Sequence, residues 1–305
     1  MSNWVDLLDP DEAELREHAP HLAPRAVEEL LRPADPEGNV RPMLQGHGAY
    51  VFGILLVAVL DTESDLLYYQ EVDVVLTRDS ILTVRKTAQG REPFDSDEVR
   101  ETCRAKGHAS PGHVAYHLID AIAERYLDLL DDVDVEIDEL EENLDTWDSD
   151  RTRRRLSEIR HDLLRIRRTL APTRDAVRSV ADGRVDIDGG VLRREVFPDE
   201  IERAFAGVLD KLMRATESLE FSRDLLAAVR DYQATELANK QNQITQRLGV
   251  IASLLLVPTF IVGVYGQNFK DLPETSWHFG YGFSWALIIV VTLAQLAFFR
   301  WKKWI

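Results

Sequence analysis

The sequence predicts an α/β domain at its amino end, a long helical stalk after it, and two carboxy-terminal transmembrane helices. Three observations carry that fold class. Residues Leu248 to Tyr265 and Gly280 to Phe299 contain no Asp, Glu, Lys, Arg or His. At about 1.5 Å of rise per residue, either run crosses the roughly 30 Å of hydrocarbon in a bilayer. Upstream, strand-like alternation gives way near Pro111 to a long helical period. Two buried helices of a soluble core would not need this length or these charged flanks.

Taken in order, Asp11 to about Arg32 reads as short helices punctuated by Pro10, Pro20, Pro24 and Pro33. Three strand-like runs follow, Ala49 to Leu60, Leu67 to Leu76 and Ser80 to Arg85. Asp61-Thr62-Glu63-Ser64-Asp65 and Thr77-Arg78-Asp79 are the turns between them, which predicts antiparallel neighbours. From His113, Leu118, Ile122, Tyr126, Leu129, Val133, Ile137, Leu140 and Leu144 recur every three or four residues. After a break at Asp148-Ser149-Asp150, Leu156, Ile159, Leu163, Ile166 and Leu170 continue the period on a second helix. The first helix carries ten carboxylates and no basic residue between Asp128 and Asp145, whereas the second is rich in arginine. Opposite charge favours an antiparallel hairpin, although an exposed pair contributes only about 0.2 to 1 kcal/mol. Solvated complementary faces account for both charge runs, with a loose reservoir for divalent cations as the weaker reading.

Pro198 starts a third helix, and no Pro or Gly occurs between Val208 and Arg247. It is expected to run unbroken into the first membrane span, through about 65 residues or roughly 100 Å, a length that needs lateral partners. The expected organisation is therefore an α/β domain over 1–111, a helical hairpin over 112–196, the cytosolic part of the long helix over 197–247, and the membrane hairpin over 248–305.

The net charge of −17 argues against nucleic acid as a partner, because phosphates would be repelled. Mean hydropathy is −0.22, so apolar character is concentrated at the end of the chain. The single cysteine, Cys103, excludes an intrachain disulfide and a cysteine zinc site. No signal peptide opens the sequence. Lys240 and Arg247 precede the first span, while Arg300, Lys302 and Lys303 follow the second. The positive-inside rule then puts both termini in the cytoplasm and the connecting loop outside, in a cytoplasmic membrane. Trp277, Trp285, Trp301 and Trp304 stand where interfacial aromatics would anchor the two water boundaries.

On the first span, Asn242, Thr245, Gly249, Ala252, Leu256, Thr259 and Gly263 alternate by three and four and so share one face. Small residues alone would also fit ordinary helix packing. Asn242 at the mouth, Thr259 at depth and Asn268 beyond the far end tilt the reading to a pore. Uncharged oxygens repeated around a ring can hold a hydrated cation by its waters, and Mg²⁺ gives up its water reluctantly. One span cannot enclose a path, so a pore implies an oligomer. The second span offers only Thr292 and Gln295 between Trp285 and Phe299 and is expected outside, facing lipid.

Tyr265-Gly266-Gln267-Asn268-Phe269 resembles the Tyr-Gly-Met-Asn-Phe signature of the CorA family of divalent-cation channels, which includes ZntB-like zinc transporters. Pro273-Glu274, Trp277, Gly280 and Tyr281 are similar to the family's loop after it, and Asn239 and Asn242 to its asparagines before the pore. His117-Leu118-Ile119-Asp120 and Leu163 to Arg168 look like its hairpin, and Arg41 to Leu44 and Ser80 to Arg85 like its α/β domain. The resemblance implies a funnel-shaped homopentamer passing Mg²⁺, with Co²⁺ and Ni²⁺ as secondary cargo. It implies a selectivity loop of Gly266, Gln267 and Asn268, with Asn268 contacting the hydrated ion, and a hydrophobic gate at Leu248 and Leu256. Gln267 departs from the family's Met. Gly207 stands where some relatives place a regulatory Mg²⁺-binding aspartate; either Asp210 one turn later or the acidic hairpin substitutes for it, or closure does not depend on Mg²⁺ in the same way. A ZntB-like Zn²⁺ transporter and a non-transporting membrane-tethered scaffold are the alternatives. No nucleophile–base set, phosphate loop or dinucleotide fingerprint points to an enzyme or a bound cofactor, and the eight histidines show no metal-ligand spacing.

Overall fold

A computed structural model describes residues 3–61, 66–88, 90–144, 146–185, 196–267 and 273–304. The first segments build one mixed sheet in the order β1-β5-β4-β3-β2. Its strands are β1 (Asn3–Leu8), β2 (Met43–Gly46), β3 (Val51–Asp61), β4 (Leu66–Leu76) and β5 (Ser80–Lys86). Strands β3 and β4 pair antiparallel from Val51↔Leu76 to Asp61↔Leu66, and β4 pairs antiparallel with β5. The tight turn into β5 closes where the Thr77 amide donates to the Ser80 carbonyl at 2.9 Å. These three strands coincide with the three strand-like runs of the sequence.

Period-two alternation gives the sheet two apolar faces. Phe52, Ile54, Val75, Leu82 and Val84 pack with Leu15 of α1 (Glu12–His18) and with Ala26 and Leu30 of α2 (Pro24–Leu31). Val51, Leu55, Val57, Val72, Val74 and Leu76 join the larger core of the long helices. Burial on both faces explains why β3 reads as a continuous apolar run. Two carboxylates interrupt the α2 side. Lys86 Nζ lies 2.8 Å from Glu71 and 2.6 Å from Asp73, and Arg32 at the end of α2 reaches Glu71 at 2.5 Å. Burial pushes the Asp73 pKa up to about 7 against the pull of Lys86. Cations from helix and sheet thus compensate charges that would otherwise be costly to bury.

Three elements escape the sequence reading, namely β1, β2 and α3 (Asp97–Lys106). Strand β1 pairs parallel with β5, from Asn3↔Ser80 to Leu8↔Arg85, so the sheet is mixed rather than wholly antiparallel. Its centre carries Asp6, a residue type depleted in strands, and that hides the alternation.

Helix α4 (Pro111–Glu142) and helix α5 (Ser149–Ala181) are 32 and 33 residues long. They share one core through residues such as Leu129, Val133, Ile137, Leu156, Ile159 and Leu163. Arg155 meets Glu136 across the intervening turn at 3.2 Å, as antiparallel pairing requires. Arg165 is no solvated charge: it donates to the carbonyls of Leu67 at 2.6 Å and Pro36 at 3.2 Å, fastening α5 to the sheet domain. Helix α6 (Asp199–Tyr265) is a single helix of 67 residues. Its first half contributes Ile201, Phe205, Val208, Leu212, Ala215 and Leu219 to the large core. A 3₁₀ turn (Pro273–Ser276) and α7 (Gly280–Trp301) complete the chain. The contacts divide it into two compact units, Met1–Val229 and Arg230–Ile305.

Asp6 is the polar anchor of β1. It accepts from Thr83 Oγ1 at 2.6 Å and Ser96 Oγ at 2.9 Å, and pairs with Arg85 at 3.0 Å and Arg100 at 3.2 Å. Burial alone would raise its pKa; the hydrogen bonds from Thr83, Arg85 and Ser96 and the Arg85 charge outweigh that and hold it below the usual value. A carboxylate with a depressed folded-state pKa stabilises the fold above its unfolded pKa, and the contribution is lost as pH falls through the folded value. Asp6→Asn is therefore expected to cost about 1.5 to 3 kcal/mol at neutral pH, the worth of charged hydrogen bonds. Thermal unfolding of the purified protein should show that cost shrinking below about pH 4. An equal cost at both pH values would contradict the assignment.

Candidate functional site

The carboxy-terminal unit contains two helices long and apolar enough to cross a membrane, with window mean hydropathies of 2.2 and 2.0. Only 6% of each window is buried, which is not how core helices of a soluble domain sit. Lipid would cover what the fold leaves bare.

Within that unit, α6 has two different sides. Val250 is buried, and Ser253, Leu254, Val257, Pro258, Ile261 and Val264 are half-buried. Ser253 marks the direction of this side, because Gln295 of α7 donates to its hydroxyl at 3.2 Å and to its carbonyl at 3.4 Å. The amide of α7 thus faces α6, while most of the rest of α7 is exposed. Ser284, Ile288, Val291, Thr292 and Phe299 line the same less exposed side of α7.

The predicted stripe lies on the side of α6 turned away from α7. Asn242, Thr245, Gly249, Ala252, Leu256, Thr259 and Gly263 are all exposed, as is Leu248. Gly249 and Gly263 have open space where a Cβ would stand. Thr245 Oγ1 donates to the Gln241 carbonyl at 3.0 Å, and Thr259 Oγ1 to the Leu255 carbonyl at 2.7 Å. A threonine whose proton is committed to the preceding turn presents oxygen lone pairs outward. Such oxygens accept hydrogen bonds from water, including water already bound to a cation. No charged side chain lies between Leu248 and Tyr265, so the surface is polar without a fixed charge.

The end of α6 is closed by the Gly266 amide on the Val262 carbonyl at 2.9 Å, followed by exposed Gln267. Asn268, the residue expected to contact the ion, lies outside the described residues. Beyond it, the Pro273–Ser276 turn leads into α7 through Gly280. A Cβ at Gly280 would stand 2.0 Å from the Glu274 carbonyl oxygen, so only glycine admits this approach. Trp277 packs on Phe279 and Phe283, with ring centroids 5.4 and 5.6 Å apart. Trp285, Trp301 and Trp304 are exposed, as interfacial anchors need to be.

In the amino-terminal unit, Gly207 and Asp210 are exposed on α6. The adjacent Lys211 bridges Asp120 at 2.6 Å and Glu124 at 2.5 Å on α4, so a tethered ammonium already satisfies those two carboxylates. Burial would lower its pKa, but hydrogen bonds to Asp120 and Glu124 prevail and raise it. Among the described residues no group of three or more His, Cys, Asp or Glu is arranged to hold a metal, the acidic run of α4 included. The structure does assemble histidines that the sequence reading kept apart. His108 Nδ1 lies 2.9 Å from His117 Nε2, and the His113 ring centroid lies 4.1 Å from that of His108. The nine-residue separation of His108 and His117 spans a turn between two helices, so no periodic spacing could reveal it.

Fold and site together define a two-span membrane protein whose first span presents an uncharged polar face away from the second. The chain belongs to the family described as CorA-like Mg²⁺ transporter protein, which it matches over residues 2–303. The Cobalt/magnesium transport protein CorA of Thermotoga maritima is 30% identical over 293 residues, covering 93% of this chain and 77% of that protein. The Zinc transport protein ZntB of Yersinia enterocolitica is 22% identical, covering 99% of this chain and 86% of that protein. The solved structure of the CorA magnesium transporter from Methanocaldococcus jannaschii shares the fold with a TM-score of 0.79 at 18% identity, covering 99% of this chain and 91% of that one.

Gly280 offers a local test of the loop geometry. Gly280→Ala forces a methyl group against the Glu274 carbonyl, whereas Gly282, with open space at its Cβ position, accepts Ala freely. Overpacking of this kind costs about 1 to 3 kcal/mol, so detergent-phase melting should drop for Gly280→Ala and hold for Gly282→Ala. Equal melting of the two variants would contradict the described approach.

Proposed function

We propose that the chain is a passive Mg²⁺ channel of the cytoplasmic membrane, with Co²⁺ and Ni²⁺ as secondary cargo, assembled as a homopentamer around the Asn242–Gly263 stripe. That it is a divalent-cation transporter and not an enzyme follows from its family. The observation that carries the finer reading is the exposure of every stripe residue on the side of α6 away from α7. Five such faces meeting at an axis would ring a water-filled path with threonine and asparagine oxygens. A hydrated Mg²⁺ would be held by its water shell, which it sheds reluctantly. Leu248 and Leu256, both more than half exposed, would form the apolar constriction that closes by dewetting.

On this reading Gly266, Gln267 and Asn268 form the outer ring, and Gln267, exposed beside it, adds an amide where the family motif has a thioether. Asp210 is exposed and available to cytosolic Mg²⁺ as a regulatory ligand. Both termini lie in the cytoplasm, and an inside-negative potential drives uptake with about 2.3 kcal/mol per charge per 100 mV. A Zn²⁺ transporter on the same scaffold is the second reading, supported by the likeness to ZntB along nearly the whole chain.

Flux into liposomes holding the purified protein separates these readings. Mg²⁺ uptake is expected, with Asn268→Ala and Thr259→Val each reducing it roughly tenfold or more by removing a ring of oxygens. Zn²⁺ uptake without Mg²⁺ uptake would reverse the order of the two. No flux of either ion would leave the membrane-tethered scaffold.

A further inference from the structure

The amino-terminal unit holds a histidine cluster that no step of ion passage uses. Helix α3 ends at Gly107, whose φ of 66° is the left-handed conformation that closes a helix. His108 follows at once, and Ser110 then caps α4 by accepting from the His113 amide at 3.4 Å. The short connector therefore delivers His108 over the first two turns of α4, where His113 and His117 share its face at a four-residue spacing. His108 Nδ1 and His117 Nε2 point at each other across 2.9 Å. The His113 ring covers His108, and its Nδ1 is held by Ser110 Oγ at 2.7 Å. A cleft of about 330 Å³, lined by Trp4, Arg100, Cys103 and His108 among others, opens beside His108.

Two imidazole nitrogens facing each other can share a proton or a metal ion. First-row ions such as Zn²⁺ bind imidazole nitrogen at about 2.0–2.1 Å, which sets two tetrahedral ligands roughly 3.3 Å apart. The pair needs to open by only about 0.4 Å to reach that separation. His117 is buried and fixed on α4, whereas His108 is half-buried on the connector and is the partner able to move. The bridging proton would shift to the other nitrogen of its own ring, so both facing lone pairs become ligands without net proton release. Burial first, and then the neighbouring Lys106 and His108, push the His117 pKa down to about 4; burial and His108 also lower that of His113. Uncharged imidazole is the form that ligates. Mg²⁺ prefers oxygen donors, and neither nitrogen suits it.

We infer that His108 and His117 form a cytosolic binding site for an imidazole-preferring divalent transition ion such as Zn²⁺, Co²⁺ or Ni²⁺, with water completing its coordination. The site is distinct from the proposed path and does not depend on which ion is carried. Since among the described residues no third protein ligand converges there, water supplies the remaining positions, and the affinity is that of a two-histidine site.

Calorimetric titration of the full-length protein in detergent with ZnCl₂, in excess MgCl₂, tests this directly. A single Zn²⁺ equivalent per chain is expected. It should weaken at least about tenfold in His108→Gln, which lies on the connector and leaves the core intact, and persist in the His18→Gln, His21→Gln double variant. Co²⁺ bound to the wild type should show the ligand-field bands of imidazole coordination and lose them in His108→Gln. Undiminished binding in His108→Gln, loss with the His18/His21 pair instead, or displacement by Mg²⁺ would each overturn the assignment. Liposome flux is a separate readout: its failure would touch the proposed channel, while Zn²⁺ binding would still decide this site.

Discussion

One uncharged helical face, left without a partner among the described residues of its own chain, governs how the rest of this protein must be understood. Between Leu248 and Tyr265 the chain carries no charge, yet one side of the helix shows the Thr259 hydroxyl and two glycines to its surroundings, continuing the line of Asn242 and Thr245 before the span. Committing the Thr245 and Thr259 protons to preceding carbonyls makes the outward oxygens acceptors. In hydrocarbon the free lone pairs of Thr259, the one hydroxyl of this face inside the span, would find no donor, and water or another polar face supplies one. The second span cannot do so, because its one amide is spent on Ser253 on the other side.

The amino-terminal unit shows why the same helix can be so long. Its first half is buried among α4, α5 and the sheet through Ile201, Phe205, Val208, Leu212, Ala215 and Leu219. Lateral packing, and not propensity, sustains a helix of this length. Charge is handled differently there. Lys211, Lys86 and Arg165 each bind carboxylates or carbonyls between elements, so these cations hold the unit together. The ammonium of Lys211 between Asp120 and Glu124 does locally what a bound cation would do, beside the exposed Asp210.

Much of this was legible in the residue pattern, for physical reasons. The three central strands read as short apolar or alternating runs between turn residues, the hairpin helices repeat with period 3.6, and the membrane spans exclude charge over their full length. The stripe could be read because its spacing repeats every seven residues. What stayed hidden lacked a local pattern. Strand β1 is short and centred on Asp6, whose burial depends on Thr83, Ser96, Arg85 and Arg100 far along the chain. The partner of Gln295 on α6 could not be read from spacing, and His108 meets His117 only because a glycine-closed helix end turns it back.

The central claim is that the Asn242–Gly263 faces of several copies meet around water, and inter-chain disulfide trapping tests it most directly. With the single native thiol removed by Cys103→Ser, Thr245→Cys and Thr259→Cys are expected to cross-link between chains in the membrane. A cysteine replacing Val290, exposed on α7, should not. If Thr259→Cys stays monomeric and reacts only with reagents dissolved in the lipid phase, that face looks into the bilayer and the account fails.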